Sequence, residues 1–194
     1  MANGKNDFDF GHNEKPTLFD YKTETVVIKT RKVHRSKTIT DDWITPRELV
    51  KLFGSFDLDP CASNRQTVHH AKRNFKLPEH NGLLEPWTGR VWLNPPFTEM
   101  ESWANKFMLH GNGIMICPLR MRVKWSKCIW DNFDSVILMR KPPRWIARDG
   151  VGKLGDLFET MIVAVGQNNR VSLWENKGLG IFVDNKKYLA SLHV

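Results

Sequence analysis

The chain has 194 residues, 41% hydrophobic and 11% aromatic, which is enough for one globular domain with a sizeable core and too apolar for overall disorder. A formal net charge of +8 favours a polyanionic partner, nucleic acid first, and the odd set of Cys61, Cys117 and Cys128 argues against a disulfide framework or a Cys-x-x-Cys metal site. No run approaches the roughly 18 apolar residues of a membrane span, and the polar N-terminus has no signal-peptide core, so the expected location is the cytoplasm.

Residues 1–40 are polar, with eight Lys/Arg against five Asp/Glu and a basic cluster from Lys29 to Lys37. They read as a flexible basic arm, either solvated or ordering on phosphates, ahead of a folded domain over 41–194 that keeps the other five net positive charges. From Thr45 the pattern becomes regular. Thr45 is predicted as N-cap, Pro46 as the first helical residue and Glu48 as the capping-box acid, with Leu49, Val50, Leu52 and Phe53 as the apolar face and Gly54 as the stop.

Phe56–Leu58, Val91–Leu93 and Gly113–Cys117 then read as strands, with an amphipathic helix from Met100 to Leu109 between the last two. Ser135–Met139 and Thr160–Val165 read as further strands. Strand, helix, strand predicts a parallel crossover, hence a three-layer α/β architecture with a mostly parallel sheet. Ligands of such sheets sit at the carboxyl ends of the strands, and both Asp59 and Asn94 follow strands there.

Asn94-Pro95-Pro96-Phe97 is the most informative stretch. Asn94 offers a side-chain carbonyl, each proline a carbonyl with no N–H of its own, and Phe97 an aromatic face. Two carbonyl acceptors that bind both hydrogens of an aromatic amine draw its nitrogen toward tetrahedral geometry and free the lone pair otherwise delocalised into the ring. Such a turn activates an amino nucleophile without a base. The competing reading is a strand-ending turn with a core phenylalanine.

This tetrapeptide resembles the catalytic [Asn/Asp]-Pro-Pro-aromatic motif of amino-group methyltransferases that use S-adenosylmethionine. Trp43-Ile44-Thr45-Pro46 resembles the Thr-Pro helix start that precedes their cofactor strand, and Asp57-Leu58-Asp59-Pro60-Cys61-Ala62 resembles their acid-Pro-x-Ala cofactor loop. With Asn81-Gly82-Leu83 and Trp87-Thr88-Gly89-Arg90-Val91 in between, the order is similar to that of the phage-type Dam-like DNA N6-adenine methyltransferases, over about 41–166.

The resemblance implies a Rossmann-like methyltransferase fold with one antiparallel strand near the C-terminus. It implies S-adenosylmethionine as cofactor, double-stranded DNA as partner and a flipped adenine as target. Asn94, Pro95, Pro96 and Phe97 would be catalytic; Trp43, Thr45, Pro46, Asp59, Pro60, Cys61, Ala62 and Asn81 would line the cofactor, Asp59 toward the methionine ammonium and Thr45 toward its carboxylate. Glu79 is a further candidate for the ribose, by its distance from the first strand.

Two departures accompany the likeness: Ala62-Ser63-Asn64 stands where many methyltransferases carry a glycine-rich loop, and only 35 residues separate Asp59 from Asn94, so the fold is expected to be abbreviated there. Arg140, Lys141, Arg144, Arg148 and Lys153 mark an insert around 140–158 that reads either as DNA-facing or as a solvated basic loop. His69, His70 and His80 fit no structural zinc spacing, so no metal is expected, and no oligomer is implied. Amino methylation of cytosine or of protein glutamine, and a non-catalytic nucleic-acid-binding protein of the same fold, are the alternatives.

Overall fold

The computed structural model describes residues 43–66, 69–146 and 159–185, and the backbone of 152–153. The N-terminal arm and Arg148 lie outside the described residues. Helix α1 (Arg47–Lys51) leads into β1 (Phe56–Asp59), the edge strand β2 (Ala71–Asn74) and β3 (Val91–Leu93). A short 3-10 turn (Phe97–Glu99) opens α2 (Met100–His110), followed by β4 (Gly113–Pro118), α3 (Lys124–Asn132) and β5 (Ser135–Met139). A small hairpin of β6 (Trp145–Ile146) and β7 (Gly152–Lys153) precedes β8 (Thr160–Val165), α4 (Gln167–Glu175) and β9 (Gly180–Asp184).

Seven strands form one sheet in the order β2-β1-β3-β4-β8-β5-β9. The contacts from β2 to β4 are parallel, whereas β8 runs antiparallel to both β4 and β5, and β9 antiparallel to β5. The expectation of a mostly parallel sheet with one reversed strand therefore needs correction: half of these neighbour contacts are antiparallel and two strands are reversed. The reason is topological. After β5 the chain returns through β8, which inserts between β4 and β5, and α4 then carries it across to the edge strand β9, which runs the same way as β8. Five strands still point the same way, so the carboxyl ends of β1, β3, β4 and β5 share one edge.

Alternation along the strands fills two cores. Leu93, Met115, Cys117, Val136 and Val163 face α2 and α3, while Trp92, Ile114, Ile116, Ile137 and Ile162 face α1 and α4. Helix α2 lays Met100, Trp103, Ala104 and Phe107 on the first core at helical spacing, and Gly111 ends it at φ 72°, a left-handed conformation that suits glycine. Each large side chain so buried contributes roughly 1.5–3 kcal/mol.

The predicted abbreviation is visible: between β1 and β3 the described residues hold one short strand and a series of turns, with no helix. Arg90 bolts this region to the rest. Its guanidinium donates to Phe53 O, Ser55 O and Asn169 Oδ1, and lies 4.4 Å over the Phe56 ring. It thereby ties the end of α1 and the start of β1 to α4.

One local expectation fails. Helix α1 begins at Arg47 with Pro46 as its N-cap and without any side-chain capping bond, Glu48 pairs with Lys51, and Leu52 is exposed. Thr45 is only 1% exposed, and its hydroxyl is buried without a hydrogen-bond partner among the described residues. Its side chain has turned inward and so does not cap the helix.

Candidate active site at the carboxyl edge of the sheet

Asn94 follows β3 directly, because Pro95 has no N–H with which to continue the ladder. Pro95 is buried, and Phe97 packs partly buried against the core under α2, which fixes the turn from below. Among the described residues the Asn94 amide is held by one bond: Nδ2 donates to the main-chain carbonyl of Trp43 at 2.7 Å. An amide whose nitrogen is committed this way must present its oxygen on the other side.

The three backbone carbonyls of the turn differ. That of Asn94 accepts from Cys61 Sγ at 2.9 Å, and that of Pro96 accepts from Glu99 N. The Pro95 carbonyl has no partner among the described residues.

Cys61 joins this turn to the loop after β1, since its N–H also donates to Asp59 Oδ1 at 3.2 Å. Asp59 is 3% exposed, and among the described residues no ion pair reaches it. Burial raises its pKa to about 7, opposed by the Cys61 N–H and the charge of Lys76. The turn carrying Asn81 backs onto the same loop: a Cβ at Gly82 would stand 1.8 Å from Pro60 O, so only glycine permits the approach. Asn81 itself is exposed, with Oδ1 accepting from Leu83 N.

The Trp43-Ile44-Thr45 segment closes the cluster from the other core. Ile44 exchanges both backbone hydrogen bonds with Ile146, at 3.2 and 3.1 Å, so the hairpin after β5 holds in place the very segment that orients Asn94. Asp59, Cys61, Asn94 and Trp43 are thus linked by direct bonds, with Thr45 two residues from Trp43. Among the described residues Thr45 Oγ1 has no hydrogen-bond partner and Asp59 no ion pair, a hydroxyl and a carboxylate whose chemistry matches the carboxylate and ammonium of a zwitterion.

A family model described as DNA N-6-adenine-methyltransferase (Dam) matches residues 32–174. The chain belongs to this family. It is a DNA N6-adenine methyltransferase, and S-adenosylmethionine is the methyl donor that the family implies. Comparison with curated proteins and with solved structures returned no match.

For a Dam-family protein the placement of the basic residues matters. Arg140, Lys141 and Arg144 are exposed just after β5, on the edge that carries Asn94, while Lys153 lies in β7. Glu79 is exposed in the turns after β2 and makes no bond to the Asn94 cluster. His80 stacks on Phe75 and pairs with Glu85, and among the described residues no group of three His, Cys, Asp or Glu side chains is arranged for a metal. No helix among them is long and apolar enough to cross a membrane.

A shallow cleft of about 350 Å³ between α1 and β2 is lined by Arg47, His69, His70 and Lys72, toward the opposite edge of the sheet, and includes none of the Asn94 cluster. Sequence reasoning missed two features of the site. The Trp43 carbonyl and the Cys61 thiol act through contacts 51 and 33 residues distant, which no local pattern encodes.

The Trp43 bond yields a specific expectation for Asn94→Asp, although the motif admits either residue. An aspartate carboxylate cannot donate to Trp43 O and repels it, so turnover at pH 8 should fall by about 10–100-fold, as for an unsatisfied buried acceptor. The deficit should shrink as the pH is lowered, because a protonated carboxyl donates again and leaves its carbonyl oxygen free. Wild-type turnover at pH 8 would refute this role for Trp43.

Proposed function

We propose that this protein binds duplex DNA, turns one adenine out of the stack, and transfers a methyl group from S-adenosylmethionine to its N6 nitrogen. The single observation that carries the proposal is the Asn94 amide, whose Nδ2 is committed to Trp43 O, so that Oδ1 and the Pro95 carbonyl are left without a partner among the described residues. These are the two acceptors that an exocyclic amino group requires. Phe97, opening the 3-10 turn beside them, offers the face on which the adenine stacks, worth roughly 1–3 kcal/mol and so a large part of the few kcal/mol that flipping costs.

The residues fit the donor. Asp59 would pair with its ammonium, Thr45 Oγ1 would donate to its carboxylate, and Trp43, Pro46, Pro60, Cys61, Ala62 and Asn81 would form the surrounding walls. When bound there, S-adenosylmethionine supplies an electrophilic methyl carbon on a cationic sulfur. The chain's own task is positional: Asn94 and Pro95 localise the lone pair on the adenine nitrogen, and Cys61 keeps the two loops in register. The β1 and β3 carboxyl ends, neighbours in what is read as a Rossmann-like sheet, then set donor and acceptor side by side.

Incubation with plasmid DNA and labelled donor, followed by nucleoside analysis, tests the proposal, with N6-methyladenine as the expected product. Arg140, Lys141 and Arg144 after β5, with Arg148 and Lys153 beyond, would track phosphates, and so would the basic arm. Deleting residues 1–37 should flatten the salt dependence of DNA binding, because every phosphate that the shortened protein leaves unneutralised keeps its condensed counterions. Selectivity should survive, since phosphate contacts position and base contacts specify. A salt slope identical to that of the full chain would show that the arm does not touch DNA.

A further inference from the structure

Flipping an adenine leaves a gap in the duplex and an unpaired base on the other strand, and nothing in the Asn94 turn fills it. The loop after β4 stands in the right place to do so. Strand β4 is the direct neighbour of β3, with Met115 opposite Leu93, and it continues for three residues, Ile116–Pro118, past the point where β3 ends. At a strand spacing of about 4.8 Å and a rise of about 3.3 Å per residue, the loop 119–123 starts on the order of 10 Å beyond the level of Leu93.

The base of this loop is rigid. Leu119 N donates to Glu159 O at 2.7 Å, Trp130 Nε1 donates to Arg120 O at 3.0 Å, and buried Ser126 donates through Oγ to Val123 O at 2.9 Å. Between these anchors Met121 is 68% exposed. Exposed apolar residues occur elsewhere on the surface; Met121 differs in adjoining the catalytic edge between two exposed arginines. Arg122 meets no acid among the described residues, while Arg120 donates through Nη1 to Leu119 O at 3.1 Å and pairs with exposed Glu159 at 3.8 Å, a surface pair that a phosphate can replace.

Resting on the reading of the site as a DNA adenine methyltransferase, we propose that Met121 enters the base stack vacated by the target adenine, while Arg120 and Arg122 hold the flanking phosphates. The chemistry is that of an apolar wedge: an unbranched thioether is slim and adaptable enough to slide between base pairs and cover the orphaned base. The arginines give the wedge its direction, because they anchor a phosphate on either side of the step it enters.

The test begins with the full-length protein and plasmid DNA, whose methylated positions, read by single-molecule sequencing, define the site. A 30-base-pair duplex of that site with 2-aminopurine for the target adenine then reports flipping by its fluorescence. Met121→Ala should give less than about a third of the wild-type fluorescence gain and methylate the plasmid at least about tenfold more slowly. Met121→Leu should stay within about threefold of wild type, as should Leu109→Ala, which truncates a still more exposed apolar residue on α2. On a duplex whose opposing thymine is replaced by an abasic site there is no orphaned base to cover, and the difference between Met121→Ala and wild type should vanish.

A wild-type fluorescence gain in Met121→Ala on the paired duplex, or an equal loss on both duplexes, would overturn the wedge. Absence of methylation by the wild-type protein would instead count against the reading of the site itself.

Discussion

Replacing Asn94 with alanine should lower the methylation rate by about 10²–10³-fold, the usual cost of removing one preorganised transition-state group. The substitution deletes the Oδ1 acceptor together with the bond to Trp43 that aims it. It leaves the Pro95 carbonyl, Phe97 and the underlying core in place, so donor affinity, DNA affinity and melting temperature should stay close to wild type. The loss belongs in kcat, because the acceptor gains strength as the nitrogen pyramidalises. A variant that still turns over at the wild-type rate would remove Asn94 from the chemistry, and a variant that no longer folds would be answered by Asn94→Asp and its pH profile.

The second large effect is expected at Asp59. Substitution by asparagine should weaken S-adenosylmethionine binding by at least about 30-fold, since a buried carboxylate facing an ammonium is worth a few kcal/mol. The same substitution should change the pH dependence of stability without ligand. Burial lifts the folded-state pKa of Asp59 to about 7, above the ordinary 3.8. Its contribution to stability is therefore fully present below about pH 4 and is lost as the pH rises through 7.

Asparagine has no proton to lose, so the variant should melt several degrees above the wild-type apoprotein at pH 8, and S-adenosylmethionine should stabilise only the wild type strongly. Calorimetric titration and melts from pH 5.5 to 8.5 check both. Unchanged donor affinity in the variant would contradict the assignment.

The parts of this site that were legible from sequence are those in which chemistry and local structure coincide. Asn94-Pro95-Pro96-Phe97 is readable because a buried strand precedes it and its prolines end the ladder, and Asp59 is readable because it closes β1. Strands β3, β4 and β8 are apolar runs buried along their whole length, and α2 carries its core residues at helical spacing.

Strand β2 was invisible because Ala71-Lys72-Arg73-Asn74 is a partly exposed edge held by pairing with β1, not by burial. Helix α4 is polar, and its buried anchors Asn169 and Leu173 are too few to betray a face. Thr45 was misread because a Thr-Pro pair before an apolar run has the form of a helix cap, whereas its burial depends on tertiary packing that brings Trp43 to Asn94 and Ile44 to Ile146. The antiparallel pairing of β8 is the reversed strand that the resemblance implies, whereas the second reversed strand, β9, follows from chain order in the sheet, which local patterns do not carry.

Whether the Asn94 turn performs amino methylation of adenine in DNA is decided by incubating the purified protein and Asn94→Ala with duplex DNA and labelled S-adenosylmethionine, then digesting the DNA and separating its nucleosides. The label should appear in N6-methyladenine with the wild-type protein and fall by at least about 10²-fold with the variant. Label in N4-methylcytosine, no label in DNA, or equal label from both proteins would contradict it.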